Sequence, residues 1–152
     1  MFGRRFESAH LHKKSASMST IYDPLRRKEV AATPEEQVRQ WFIGQLRDFF
    51  KVPLHLMMSE VGMKFGGKQY RADILVYGRD GRPFAVVECK RPEVELTSSV
   101  LEQAMRYNGV LGVTFLIVTN GSRTYIYKRT EDDVFRPVES VPDLGRAISD
   151  SQ

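Results

Sequence analysis

Cysteine is almost absent from this chain: Cys89 is the only one in 152 residues. An intramolecular disulfide and a cysteine-built zinc site are therefore excluded. Histidine is scarce too, and His10, His12 and His55 do not form a convincing zinc set. No apolar run approaches the ~18 residues of a membrane-spanning helix. Residues 1–12 hold no apolar core of signal-peptide length. A reducing, cytoplasmic setting is the expectation, with no membrane association. The chain has hydrophobic residues enough, 41%, for one domain with a real core, which excludes disorder throughout. Its net charge of +4 suggests nucleic acid, but the charge is badly placed for that. Residues 1–28 carry seven basic and two acidic residues, a net of +5, so the other 124 residues sum to −1. A basic leader is most simply solvated, with nonspecific grip on a phosphate backbone as the second use.

Three segments follow from composition: a polar basic tail over 1–20, a globular domain over 21–130 and an acidic C-terminal extension over 131–152, which reads as a loop plus a short helix. The tail has no sustained period and is expected to pack little against the core. Ile21 to Leu25 reads as a short apolar clamp into the body. Thr33-Pro34-Glu35-Glu36 is a helix start, with Thr33 capping, Pro34 in the first helical position and Glu36 closing a capping box. Val38, Phe42, Leu46 and Phe49, with Trp41 beside them, lie at helical spacing, and the helix should stop near Lys51. Strands are expected over 58–65, 70–77 and 84–90, joined by Gly66-Gly67 and by a hairpin loop at 78–82. A second helix capped by Thr97 or Ser98 runs to Gly112. A continuous apolar strand over 113–118 and a return strand over 124–127 follow, joined by Asn120-Gly121. The order is helix, three strands, helix, strand, strand, which is α/β with a mixed sheet.

Asp73 interrupts an otherwise apolar strand, and burying a charge is costly unless it is paired or metal-bound. Fifteen residues later Glu88-Cys89-Lys90 ends a very apolar strand. Period two puts Glu88 and Lys90 on one face and Cys89 on the other. If strands two and three pair around 78–82, Asp73 and Glu88 fall nearly opposite, where two carboxylates repel. A divalent cation removes that repulsion, and oxygen ligands suit magnesium. Lys90 beside them can orient a water or stabilise charge developing on a phosphate. The simpler alternative is a Glu88–Lys90 salt bridge at a strand end.

Asp followed after about fifteen residues by Glu-x-Lys on hairpin strands resembles the PD-(D/E)XK nuclease superfamily. The flanks narrow the likeness: Thr33-Pro34-Glu35-Glu36 with Val38-Arg39-Gln40, Arg71-Ala72-Asp73, Glu88-Cys89-Lys90-Arg91-Pro92, Gln103 with Tyr107-Asn108, and Thr119-Asn120-Gly121. Together they resemble the N-terminal nuclease domain of type I restriction enzyme R subunits over residues 21–128. Ala72 stands where the superfamily motif carries proline. The resemblance implies a restriction-endonuclease-like αβββαβ core with a mixed central sheet flanked by helices. It implies an Mg²⁺-dependent DNA endonuclease, with Mn²⁺ as a substitute ion. Asp73, Glu88 and the Cys89 main-chain carbonyl would hold the metal, and Lys90 would position the attacking water. Gln103 and Tyr107, on one helix face at i, i+4, match a motif beside the active site; the bland alternative is packing for Tyr107 and surface for Gln103. The family's first helix supplies an acid, and helical phase favours Glu35 over Glu36. DNA and other restriction-modification subunits are the implied partners, with a homodimer left open. The alternative is a catalytically silent module of the same fold that binds nucleic acid or protein.

Two further motifs carry no function. Cys89 faces away from Glu88 with no histidine near it, so it reads as buried packing rather than a nucleophile. Gly62 to Lys68 has the spacing of a phosphate-binding P-loop, but Gln69 follows the lysine and a strand follows that, so the magnesium hydroxyl and the helix N-terminus are both missing.

Overall fold

The computed structural model describes residues 19–151. The expected tail falls largely on residues 1–18, outside the described residues; Thr20 already pairs with Ala31 in a hairpin. That hairpin, β1 (Thr20–Asp23) and β2 (Lys28–Ala31), takes the place of the expected apolar clamp. It leads into α1 (Pro34–Asp48), then β3 (Met57–Phe65), β4 (Lys68–Tyr77) and β5 (Pro83–Cys89). α2 (Ser98–Asn108) crosses over to β6 (Phe115–Thr119), and β7 (Thr124–Arg129), β8 (Phe135–Pro137) and α3 (Leu144–Asp150) complete the chain. Strands β3 to β8 form one sheet in sequence order. Only the β5–β6 pair is parallel, as a strand–helix–strand crossover requires; the other pairs are antiparallel. The fold is α/β with a mixed sheet, and α1-β3-β4-β5-α2-β6 is the αβββαβ order expected.

Turn chemistry sets the hairpins. Gly66 and Gly67 both take positive φ, 57° and 77°, between β3 and β4, as a tight two-residue turn demands. The Asn120 side chain accepts from the Ser122 and Arg123 amides and so closes the β6–β7 turn. Each sheet face buries its own core. Val38, Phe42, Ile43 and Leu46 of α1 and Leu144 and Ile148 of α3 pack on Ile74, Val87 and Ile117. On the other face Leu101 and Ala104 of α2 pack on Leu75, Val86, Leu116 and Val118. β5 and β6 are thus covered on both sides, which explains their unbroken apolar composition.

Three local expectations are corrected. Thr33 Oγ1 does accept the Glu36 amide at 3.1 Å, but the Glu36 carboxylate does not return the bond. It accepts instead from Arg26 and Gln40. Phe49 leaves the apolar stripe: it is the C-cap of α1, 48% exposed and edge-on to Phe50. Ile43 and Phe50 are buried in its place. The acidic stretch past residue 130 holds the expected short helix, α3, but where a loop was expected it adds strand β8 to the sheet, and Leu144 and Ile148 enter the core because that core face is otherwise open at its end.

Candidate active site

The β4–β5 register pairs Ile74 with Val87, and one more step of it sets Asp73 opposite Glu88. On β4 the alternation slips at this point. Ala72 faces the α2 side, whereas Ile74, two residues on, faces the α1 side. The slip coincides with Glu60 on the neighbouring β3, which holds a left-handed φ of 54° between the pairs Ser59–Ile74 and Val61–Ala72. The kink frees Asp73 from either packed layer. From Ala85 on, β5 alternates between the two faces, so Glu88 points to the α2 side and Cys89 to the α1 side.

These two strands end in a cleft of about 350 Å³ between the start of α1 and the length of α2. Asp73, Glu88, Cys89 and Lys90 form its floor, with Glu35 from α1 and Gln103 and Tyr107 from α2 on its walls. All seven site residues expected from the sequence line this one cleft. Of the two α1 acids, Glu35 reaches it, while Glu36 is buried against Arg26 and Arg39.

Asp73 Oδ2 accepts the Cys89 amide at 2.7 Å, and its Oδ1 lies 3.5 Å from the Arg39 guanidinium. Burial pushes the Asp73 carboxyl up to about 6; the Cys89 amide and Arg39 oppose this, while the Glu35 and Glu88 carboxylates add to it. Glu88 Oε1 accepts from Asn108 Nδ2 at 3.2 Å, and Oε2 lies 3.1 Å from Lys90 Nζ. The simple salt bridge is therefore present, but within the carboxylate cluster rather than instead of it. The Tyr107 hydroxyl accepts the Arg71 amide at 3.0 Å and its ring tilts against Tyr70, so it braces β4 two residues before Asp73. Gln103 is exposed on the cleft wall. Cys89 is fully buried; burial pushes its thiol well up, and Asp73 beside it adds to the effect, so the thiolate a nucleophile needs is suppressed.

The donor set fits a small hard cation. Its atoms are carboxylate oxygens, and the partly buried Asp73 gains most from a counter-charge. Among the described residues no three His, Cys, Asp or Glu side chains close together as a ligand set. The side-chain donors are thus the facing pair Asp73 and Glu88, with Glu35 on the wall. Three contributors carried no role in the sequence: Arg39, Glu60 and Asn108. Arg39 and Asn108 both sat inside the quoted motifs, and the spacing that gave those motifs was the signal available. Glu60 left none, since only its left-handed backbone turns it toward Arg39 and Arg71.

No helix among the described residues is long and apolar enough to cross a membrane. No curated protein matches the chain. One family profile does: type I restriction enzyme R protein N terminus, over residues 34–142. The match starts at the first residue of α1, runs through every lining residue of the cleft and ends just short of α3.

Proposed function

The chain belongs to the type I restriction enzyme R protein N-terminal family, and from that membership we propose an Mg²⁺-dependent nuclease domain that hydrolyses DNA phosphodiester bonds. The observation that carries the reading is one cleft floor holding Asp73, Glu88 and Lys90 together. Asp73, Glu88 and the Cys89 main-chain carbonyl would hold Mg²⁺, or Mn²⁺ in its place. The bound ion supplies charge neutralisation at the phosphate and a more acidic water. Lys90 orients that water and faces the negative charge of the phosphate. Gln103 offers an uncharged amide to the nucleic acid on the opposite wall. DNA and restriction-modification subunits are the partners of this reading. Cytoplasmic residence belongs to it as well, and suits a buried free thiol.

A second reading, a silent binding module, has one observation in its favour. Glu88 is already satisfied by Lys90 and Asn108 without any ion. A cleavage assay on DNA at low salt, where phosphate contacts are strongest, separates the two. The nuclease reading expects Mg²⁺-dependent cleavage by the native chain, abolished in Lys90→Ala and in Glu88→Ala. Ion affinity should survive Lys90→Ala, which keeps both carboxylates, and fall in Glu88→Ala. A native chain that binds DNA but never cuts it, at any Mg²⁺ or Mn²⁺ level, supports the silent module. Cleavage that persists with both residues replaced would remove this site from the chemistry.

A further inference from the structure

The β3–β4 hairpin continues past the rest of the sheet. Asp73 stands opposite Glu88, so β5, which ends at Cys89, stops level with Ala72. β3 and β4 stay paired as far as Phe65 and Lys68. A two-stranded ribbon therefore overhangs the cleft end of the sheet by about 13 Å, at ~3.3 Å per residue. The segment that fails as a P-loop forms its tip. A Cβ at Gly66 or Gly67 would meet nothing within 4 Å, so the tip stands in open solvent. Residues 61–72 hold Lys64, Lys68 and Arg71 and no acid. Arg71 is committed to Glu60. Lys64 and Lys68 are exposed and have no carboxylate partner among the described residues; Lys68 Nζ lies over the Tyr70 ring, 5.7 Å from its centroid. The ribbon is braced from within. The rings of Phe65, Tyr70 and Tyr107 follow one another at 6.1 and 5.1 Å, and the Tyr107 hydroxyl holds the Arg71 amide. Arg71 and Tyr107 line the cleft, so the ribbon is fixed to the cleft wall.

We propose that this ribbon is the grip for duplex DNA: Lys64 and Lys68 are positioning residues that hold backbone phosphates beside the one lying in the cleft, whatever the base sequence. The choice of DNA as the polyanion rests on the nuclease reading. The cleft floor presents carboxylates, which repel a phosphate, and residues 29–152 sum to −1. Attraction must then come from a local excess of positive charge, and the ribbon is such an excess, joined to the cleft. The register sets Lys64 beside Gln69 and Lys68 beside Phe65, one step apart, so the two lysines project from opposite faces of the ribbon. A two-stranded ribbon fits the major groove of a duplex, and one cation on each face then reaches the phosphates on either side. Lysine is a compact charge on a flexible stem, which suits holding a backbone rather than reading a base.

The full chain is compared with Lys64→Gln/Lys68→Gln and with Arg79→Gln/Arg82→Gln, which removes the same charge from the exposed β4–β5 loop at the far end of β4. Binding to a short duplex of random sequence is followed by fluorescence anisotropy in Ca²⁺, between about 50 and 200 mM salt. The ribbon variant should bind roughly ten- to a hundredfold more weakly at the low-salt end, and the slope of log K against log salt should shrink by about 2, at ~0.9 per lost phosphate contact. The far-end variant should bind as native does, and so should Lys64→Arg/Lys68→Arg, which keeps both charges. In Mg²⁺ the ribbon variant should cleave with KM raised and kcat unchanged, since neither lysine lines the cleft. Equal binding by the native chain and the ribbon variant, or equal losses in the ribbon and far-end variants, overturns the inference and leaves the nuclease reading to the cleavage assay. A native chain that binds no duplex overturns it as well. Binding that depends on the ribbon, with no cleavage at any Mg²⁺ or Mn²⁺ level, overturns the nuclease reading and leaves the grip standing.

Discussion

Asn108 shows how much of the cleft depends on a single neutral side chain. It sits at the last position of α2, 2% exposed, and its amide donates both to the Ala104 carbonyl at 2.8 Å and to Glu88 at 3.2 Å. The first bond ties it to its own helix, and the second carries that helix to β5. Asparagine is a poor residue inside a helix and a good one near its end, where the side chain can serve backbone carbonyls. Asn108→Ala removes both bonds and leaves Glu88 with Lys90 alone. It should lower stability by about 1–3 kcal/mol in urea unfolding, the usual cost of stranding buried hydrogen-bonding groups. An unchanged midpoint would show that Glu88 is held adequately from elsewhere.

At the scale of the element, the N-terminal hairpin and α1 act as one electrostatic unit. Asp23 ends β1 with no exposure, accepting from the Leu25 amide, Arg26 and Ser59. Arg26 passes the contact to Glu36, and Glu36 to Arg39. Burial pushes the Asp23 carboxyl up, but bonds from Arg26, Leu25 and Gln40 outweigh it and hold the group below its ordinary value. Glu60 behaves likewise: burial raises it, and Arg71 with Arg39 more than offsets that. A depressed folded value means that the unfolded chain binds the proton more readily. The stability from both groups is complete above their ordinary values of 3.8 and 4.5 and is lost as pH falls through the lower folded values. Acid unfolding should therefore begin below about pH 4.5. Asp23→Asn should flatten that limb when unfolding free energy is plotted against pH; an unaltered slope would assign it to other groups. The cap at the start of α1 is independent of this network. Thr33→Ala should cost about 1 kcal/mol, read from the urea midpoint.

For the whole molecule, the decisive contact is the return of the C-terminal segment. β8 extends the sheet beside β7 with Phe135 buried, and Leu144 and Ile148 of α3 close the core against α1. Gly145 lets α3 approach closely: a Cβ there would lie 2.4 Å from the Lys51 carbonyl oxygen. Its amide donates to the Phe50 carbonyl at 3.0 Å, tying α3 to the end of α1. The segment is therefore part of the cooperative unit. Leu144→Ala should cost about 2–5 kcal/mol, as buried leucines do. A chain ending at residue 130 should lose its sharp thermal transition in calorimetry. A truncated chain that melted as the full one does would return the segment to the status of an appendage.

The sequence by itself determined the order of the elements from α1 to β7 and which residues meet in the candidate cleft, because both rest on local signals. Hydrophobic period, the Thr33-Pro34 start and the Gly66-Gly67 and Asn120-Gly121 turns act within a few residues. Asp73, Glu88 and Lys90 were legible because a charge inside an apolar strand contradicts its surroundings, and strand period fixes its face. What tertiary structure alone decided is the set of charges brought together over long sequence distances. The left-handed backbone at Glu60, the four carboxylates around Arg39 and the hold of Asn108 on Glu88 join residues from β3, β4, β5, α1 and α2. No periodicity encodes such a meeting. The same reason kept β8 out of sight: a three-residue strand has too little pattern of its own, and it exists because the core it covers is already there.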